Sequence, residues 1–333
     1  MDMEQLKIWG EKIPGNSKQK KAEVMELKHR KKPNAALDTI QWILTVKGGP
    51  FKSSGKKIID TYTDTWVKKE DAAYRDTFED VPYLIPFIAE GSKKAVIIVP
   101  GGGYCTKGMD GEGTEIAKQL VKNGITSFVL WYRSNPYYQP YPLMDMQRAV
   151  RYVRFHAKDY GYEENQIGAI GFSAGGAQVS LFLNVLRSGL ITLPAYEKDE
   201  VDAADDTLNF AGLIYPALSY HFNQTMMFAS FPAEDVRDEQ KKAKLLEIYD
   251  GVRHMSSAGV PHFVSYGTKD DMISIQKIRE YVEVLKKTDT PYKEVIVDGA
   301  GHGYGAAAKT QYEFWLKEYI HWVLELGASE GGL

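Results

Sequence analysis

An apolar run at residues 166–170 ends in Gly171-Phe172-Ser173-Ala174-Gly175, and residues 174–186 continue with the spacing of a helix. Few stretches restrict a fold so tightly. A buried strand must turn at once into a helix with the serine at the apex, and a side chain at 171 or 175 would collide with the neighbouring strand and helix. The bend predicts a strained backbone at Ser173 and a hydroxyl held above the sheet edge. The helix behind it opens with backbone N–H groups and a partial positive charge, which suit a developing oxyanion. A Gly-x-Ser-x-Gly string alone is common. The strand before it and the helix after it make Ser173 a candidate nucleophile.

The remaining chain keeps a compatible rhythm. Residues 95–99, 126–132, 208–215, 262–266 and 292–297 read as short buried strands, and residues 113–123, 144–160, 273–286 and 311–326 carry helical spacing. Strands alternating with helices at this spacing imply parallel βαβ units with helices on both faces. Before them, residues 41–46, 57–63 and 81–88 alternate apolar and polar and predict antiparallel strands, with a helical turn or loop at 66–74. Residues 1–35 are polar and basic (Lys18, Lys20, Lys21, then Lys28 to Lys32), the pattern of a solvated face or loose arm. No repeat, low-complexity tract or linker interrupts the chain. The expected class is α/β: a mostly parallel central sheet with antiparallel N-terminal strands and helices on both faces. Residues 1–80 are expected to form an extension and leading strands packed on the core. Residues 81–328 form the main domain, with a cap segment at 216–256.

A serine nucleophile needs a base for its proton and a third group to hold that base in one tautomer. With this strand–turn–helix pattern the partners follow in the order serine, acid, histidine, each on a loop after a strand. The strand at 292–297 runs into Asp298-Gly299-Ala300-Gly301-His302-Gly303, a glycine-rich loop able to carry an imidazole over Ser173. The strand at 262–266 runs into Gly267-Thr268-Lys269-Asp270-Asp271, so two acids compete. Asp270 is preferred because it ends the turn directly and stands three residues before apolar Ile273; Asp271 would then cap the next helix or lie in solvent. His156, His221, His254 and His262 show no metal-ligand spacing.

The second half of an oxyanion hole should come from the loop after an early strand. Gly101-Gly102-Gly103 follows the strand at 95–99, and glycines let backbone N–H groups approach a ligand closely. The predicted donors are the N–H groups of Gly102, Gly103 and Ala174, with Tyr104 as a candidate pocket-lining residue. A dinucleotide loop is excluded by Thr106 at the position where Gly-x-Gly-x-x-Gly needs its last glycine, and no Walker-type Gly-Lys-Ser/Thr exists. Two further segments bear on a substrate site. Residues 131–142 are crowded with tyrosine and proline, suited to a sugar ring or to a rigid loop with its aromatics tucked into the core. Residues 215–250 contain Met226, Met227, Phe228 and Phe231, suited to a cap over an acyl pocket or to a plain packed insertion.

Bulk properties exclude other classes. A net charge of −3 asks for neither nucleic acid nor an anionic membrane surface. The chain has one cysteine, Cys105, so no disulfide closes within it, and a packed thiol is expected. No apolar run approaches the roughly 18 residues a membrane span needs, and the first ten residues carry no apolar signal region. A cytoplasmic protein is expected.

Taken together, these stretches resemble the α/β-hydrolase superfamily, and within it the carboxylesterase branch near acetyl xylan esterases and hormone-sensitive-lipase-like enzymes. The matching residues are Pro100-Gly-Gly-Gly-Tyr104, Glu112-Gly113, Leu130-Trp-Tyr-Arg133, Asp145 through Arg154, Ile167 through Gly176, Gly267 to Ile273 and Gly301-His302-Gly303, spread over about residues 80–325. Two positions depart: Pro100 stands where lipase-like relatives often begin the loop with histidine, and Ala177 where xylan-esterase relatives often place one. The resemblance implies Ser173 as nucleophile, Asp270 as orienting acid, His302 as base, and an oxyanion hole at Gly102, Gly103 and Ala174. It implies a serine hydrolase of short acyl esters, acetates foremost and sugar esters among them, working without metal or organic cofactor. The expected partner is a small-molecule ester, with self-association into a homo-oligomer allowed. A serine peptidase or amidase of the same fold, and a non-catalytic ligand-binding scaffold, are the alternatives.

Overall fold

The computed structural model describes residues 4–16, 81–104, 107–134, 137–255 and 259–326. The strands expected at 41–46 and 57–63, the segment 66–74, most of the basic stretch and Cys105 lie outside the described residues. Eight strands, β1 (Leu6–Lys7), β2 (Tyr83–Phe87), β3 (Ala95–Val99), β4 (Thr126–Trp131), β5 (Ile167–Phe172), β6 (Phe210–Ile214), β7 (His262–Gly267) and β8 (Tyr292–Val297), form one sheet in the order β1-β2-β4-β3-β5-β6-β7-β8. β1 with β2 and β2 with β4 are antiparallel, and every later pairing is parallel.

Every residue of β3, Ala-Val-Ile-Ile-Val, is buried, as a parallel strand covered on both faces must be. Its side chains alternate between two cores. Ile97 and Val99 join one with α2 (Tyr141–Phe155), α3 (Ala174–Leu181) and α7 (Ile275–Lys287); Val96 and Ile98 join the other with α1 (Glu115–Lys122) and α8 (Phe314–Glu325). Between β6 and β7 lie α4 (Gln224–Ser230), α5 (Ala233–Arg237) and α6 (Glu239–Ile248). No helix among the described residues is long and apolar enough to cross a membrane.

Several expected helices are shorter or broken. The 144–160 segment is α2 followed by a separate turn, Ala157–Tyr160, which ends at Gly161 in the left-handed region. α2 starts earlier than predicted, since proline in a first turn gives up no hydrogen bond. α3 passes into a π turn at Phe182–Leu186, and α1 is preceded by another at Asp110–Thr114.

Within the expected loose arm, residues 4–16 are instead packed on the core. Ile8 and Trp9 are buried, β1 pairs with β2 through Leu6 and Leu84, and Trp9 Nε1 donates to Asp145 Oδ1 at 2.8 Å. Arg148 Nε donates to the Ile8 carbonyl at 2.6 Å, so residues 4–16 are strapped to α2. Four apolar side chains in a polar run, Leu6, Ile8, Trp9 and Ile13, decide the outcome.

Candidate active site

Loops at the carboxyl ends of β3, β5, β6, β7 and β8 meet at one place. Ser173 follows β5 and precedes α3 with φ 50° and ψ −115°, a conformation costing about 1–3 kcal/mol unless its surroundings impose it. They do. Its N–H donates to the Ile214 carbonyl, and its own carbonyl accepts the N–H groups of Ala177 and Ala217, each at 3.0 Å. The flanking glycines are required by space: a Cβ at 171 would stand 2.2 Å from the Gly175 carbonyl oxygen, and one at 175 would stand 2.0 Å from that of Val99.

His302, on the loop after β8, reaches Ser173 Oγ with Nε2 at 2.8 Å and Asp270 Oδ2 with Nδ1 at 2.7 Å. A carboxylate only accepts, so Nδ1 carries the proton and Nε2 faces the serine hydroxyl as an acceptor. Asp270, on the loop after β7, has a fully buried side chain, and its Oδ1 accepts the N–H groups of Met272 and Ile273 at 3.0 and 3.3 Å. Asp271 is exposed and caps nothing: α7 is capped by Ser274, whose Oγ accepts the Lys277 N–H. The Met272 and Ile273 N–H groups fix the Asp270 carboxylate independently of the imidazole.

The glycine loop is held from three sides. Tyr132 donates its hydroxyl to the Pro100 carbonyl at 2.8 Å, the Gly101 carbonyl accepts Gly108 N–H at 3.0 Å, and Gly101 N–H donates to Glu112 Oε2 at 2.7 Å. Gly102 and Gly103 follow at φ 134° and 63°, backbone that glycine adopts freely. Ala174 opens α3, and first-turn N–H groups have no acceptor within their own helix.

Tyr104 departs from its expected place in the pocket. At φ 60° it turns into the core and is 0% exposed, and its hydroxyl donates to Gln178 Oε1 at 2.7 Å; burial pushes the phenol's pKa well up. It anchors the end of the glycine loop. The aromatics of residues 131–142 are largely tucked in as well: Tyr132 and Tyr137 are buried, and the Arg133 guanidinium lies over the rings of Tyr137 and Tyr141 at 5.4 and 5.0 Å. In the 216–256 segment, Met226, Met227 and Phe231 pack into the core. The Ser230 carbonyl accepts Gln139 N–H at 2.9 Å, and Asn223 Nδ2 donates to the Met272 carbonyl at 3.2 Å beside the acid loop.

Sequence reasoning assigned no role to Glu112 and Tyr215. The Tyr215 hydroxyl donates to Glu112 Oε1 at 2.8 Å and accepts Gly305 N–H at 3.0 Å, and its ring meets that of His302 edge-on at 5.0 Å. Tyr215 is the first residue past β6, at φ 35°. Burial raises the Glu112 carboxyl above its usual range, while the Tyr215 and Gly101 hydrogen bonds and the nearby His302 pull it back. The available signals were a lone glutamate in the run Gly108-Met-Asp-Gly-Glu-Gly113 and a tyrosine at the carboxyl end of a central strand.

Comparison with known proteins places these features in context. A family model described as BD-FAE matches residues 83–285. The chain is 26% identical over 247 residues to an acetylxylan esterase of Xylanibacter ruminicola, covering 73% of this chain and 47% of that protein. It is 23% identical over 218 residues to esterase LipC of Mycobacterium tuberculosis, covering 63% and 52%. The chain thus spans about half the length of these curated relatives. Among solved structures, an acetyl ester-xyloside bifunctional hydrolase from Caldicellulosiruptor lactoaceticus superposes with a TM-score of 0.64 at 28% identity, over 78% of this chain and 92% of that one. The propionate-bound esterase Est2 of Thermogutta terrifontis superposes at 0.61 and 21% identity, over 78% and 93%, a likeness of fold.

Proposed function

The chain belongs to the BD-FAE family and has the α/β-hydrolase fold, and from that premise we propose that it is a serine hydrolase of short acyl carboxylic esters, acetates foremost. The observation that carries this reading is the file of hydrogen bonds from Ser173 Oγ through His302 to Asp270. Ser173 attacks the ester carbonyl while His302 Nε2 takes its proton, and buried Asp270 stabilises the imidazolium and keeps its tautomer. The tetrahedral oxyanion rests on the N–H groups of Ala174, Gly102 and Gly103, each worth about 3 kcal/mol in such sites. The alcohol leaves with the proton from His302. Water then attacks the acyl-enzyme, giving its proton to His302, and the acid departs as Ser173 regains a proton.

Sugar-borne acetates are the proposed natural class. Two relatives support it by name, an acetylxylan esterase and an acetyl ester-xyloside hydrolase. The test is a panel of p-nitrophenyl esters of rising chain length, acetylated xylo-oligosaccharides and aminoacyl amides, with Ser173→Ala as control. Acetate esters should turn over fastest and Ser173→Ala should abolish turnover. Amide hydrolysis outpacing ester hydrolysis would move the reading to a peptidase, and failure of a fluorophosphonate to label Ser173 would remove it.

A further inference from the structure

We propose that Glu112 is a positioning residue: its carboxylate, with the Tyr215 hydroxyl, clamps the glycine loop to the histidine loop and so sets where the oxyanion donors stand relative to Ser173. The proposal rests on the serine-hydrolase reading above. Glu112 arises from the π turn that follows the glycine loop, and it spends both carboxylate oxygens on other loops, Oε2 on Gly101 N–H and Oε1 on the Tyr215 hydroxyl. The Tyr215 oxygen takes Gly305 N–H, three residues past His302, and the Gly305 carbonyl takes the indole N–H of buried Trp315 at 3.0 Å. The clamp therefore runs from the glycine loop, past the end of β6, to the loop that carries the base, and ends in the core under α8.

Its position gives it leverage. A Cβ on Gly101 would lie 2.8 Å from Ser173 Cβ and 2.6 Å from the Phe172 carbonyl oxygen, so this glycine runs directly against the nucleophile. Glu112 Oε2 accepts the Gly101 N–H, which fixes that peptide toward Glu112. The next two peptides, whose N–H groups are the proposed donors, inherit that orientation. A shift of an ångström in such a group is costly to rate even when binding survives.

The groups around the clamp are Tyr215 at the end of β6 and His302 on the base loop; Tyr304 packs on the Tyr215 ring, and Asp270 faces His302 from the other side.

The experiment compares wild type, Glu112→Gln, Tyr215→Phe and Ser173→Ala on p-nitrophenyl acetate, normalised to serine labelled at completion by a fluorophosphonate. A trifluoromethyl ketone, whose hemiketal places an oxyanion in the hole, is the inhibitor. Glu112→Gln should lower kcat about 10–100-fold, short of the loss on deleting a donor outright, with KM within about twofold. Its ketone Ki should rise by the factor that kcat/KM falls. Tyr215→Phe, which keeps the carboxyl group but removes its hydroxyl partner, should lower kcat and ketone affinity together with KM within about twofold. It carries the test alone if Glu112→Gln does not fold. Turnover per labelled serine within about twofold of wild type in a folded variant, or a fall in kcat with ketone affinity intact, overturns the clamp. A wild-type protein that hydrolyses no ester and takes no label overturns the hydrolase reading itself, and the clamp with it.

Discussion

Asp270 and Asp145 are both carboxylates with fully buried side chains, and they do opposite things. Asp145, on α2, is closed on every side. Its Oδ1 accepts Trp9 Nε1 at 2.8 Å and Arg133 Nη2 at 2.7 Å, and its Oδ2 accepts Arg133 Nε and backbone N–H at 2.9 and 2.8 Å. Its main partner is a permanent cation that leads nowhere reactive. Asp270 spends one oxygen on two backbone N–H groups and the other on an imidazole whose far nitrogen reaches a half-buried hydroxyl. Burial and a nitrogen donor to the carboxylate are common to both. What would separate chemistry from structure is whether the partner can exchange a proton and whether the file ends at the proposed nucleophile, Ser173.

The comparison can be broken by substitution. Ser173→Ala should cut kcat by about 10⁵-fold or more with an unfolding transition near that of wild type, measured by p-nitrophenyl acetate turnover and thermal melting. Asp270→Asn should cost about 10⁴-fold in kcat, since an amide stabilises the wrong imidazole tautomer, again with little change in melting. Asp145→Asn should do the reverse. Leaving Arg133 without its counter-charge should remove about 3–5 kcal/mol of stability in denaturant titration, while turnover per labelled serine holds. A kcat loss at Asp145 as large as that at Asp270 would erase the distinction.

His262 sharpens the same contrast as a buried group held neutral. Its Nδ1–H donates to the Val260 carbonyl at 2.7 Å, its Nε2 accepts the Tyr281 hydroxyl at 3.0 Å, and burial pushes its pKa down from 6.5 to about 4. Below the unfolded value the unfolded chain binds the extra proton, so stability is full above pH 6.5 and drains as pH falls through 4. The loss should total about 3 kcal/mol, read as a steeper acid slope of unfolding free energy in wild type than in His262→Gln. Smallest is Trp9→Phe, which takes one donor from Asp145 and should cost about 1–3 kcal/mol with no change in rate.

Ser173 and His302 were legible as a candidate pair because a nucleophile at a strand–helix turn has few sequence solutions. Asp270 was legible from its place after β7, but its separation from Asp271 became visible only as burial of one neighbour and exposure of the other. Glu112 and Tyr215 were not, because their contact joins residues 103 apart in the chain, and Tyr215 meets Gly305 another 90 residues on. Trp9 was hidden in the same way: its partner lies 136 residues downstream, and its polar neighbours suggested solvent. Proximity to the glycine loop suggested that Tyr104 lines the pocket, but sequence carries no sign of which way a residue at φ 60° will face.

Among the described residues the sheet ends at β8, and His302 hangs from the loop just beyond it. That last strand has a strand neighbour on one side only, and Ile296 within it is 45% exposed. Margins fray before centres do. On gentle heating, hydrolytic rate should therefore fade while most of the chain still melts as one later event, and on cooling the return of rate should time the final docking of the sheet's outermost ribbon.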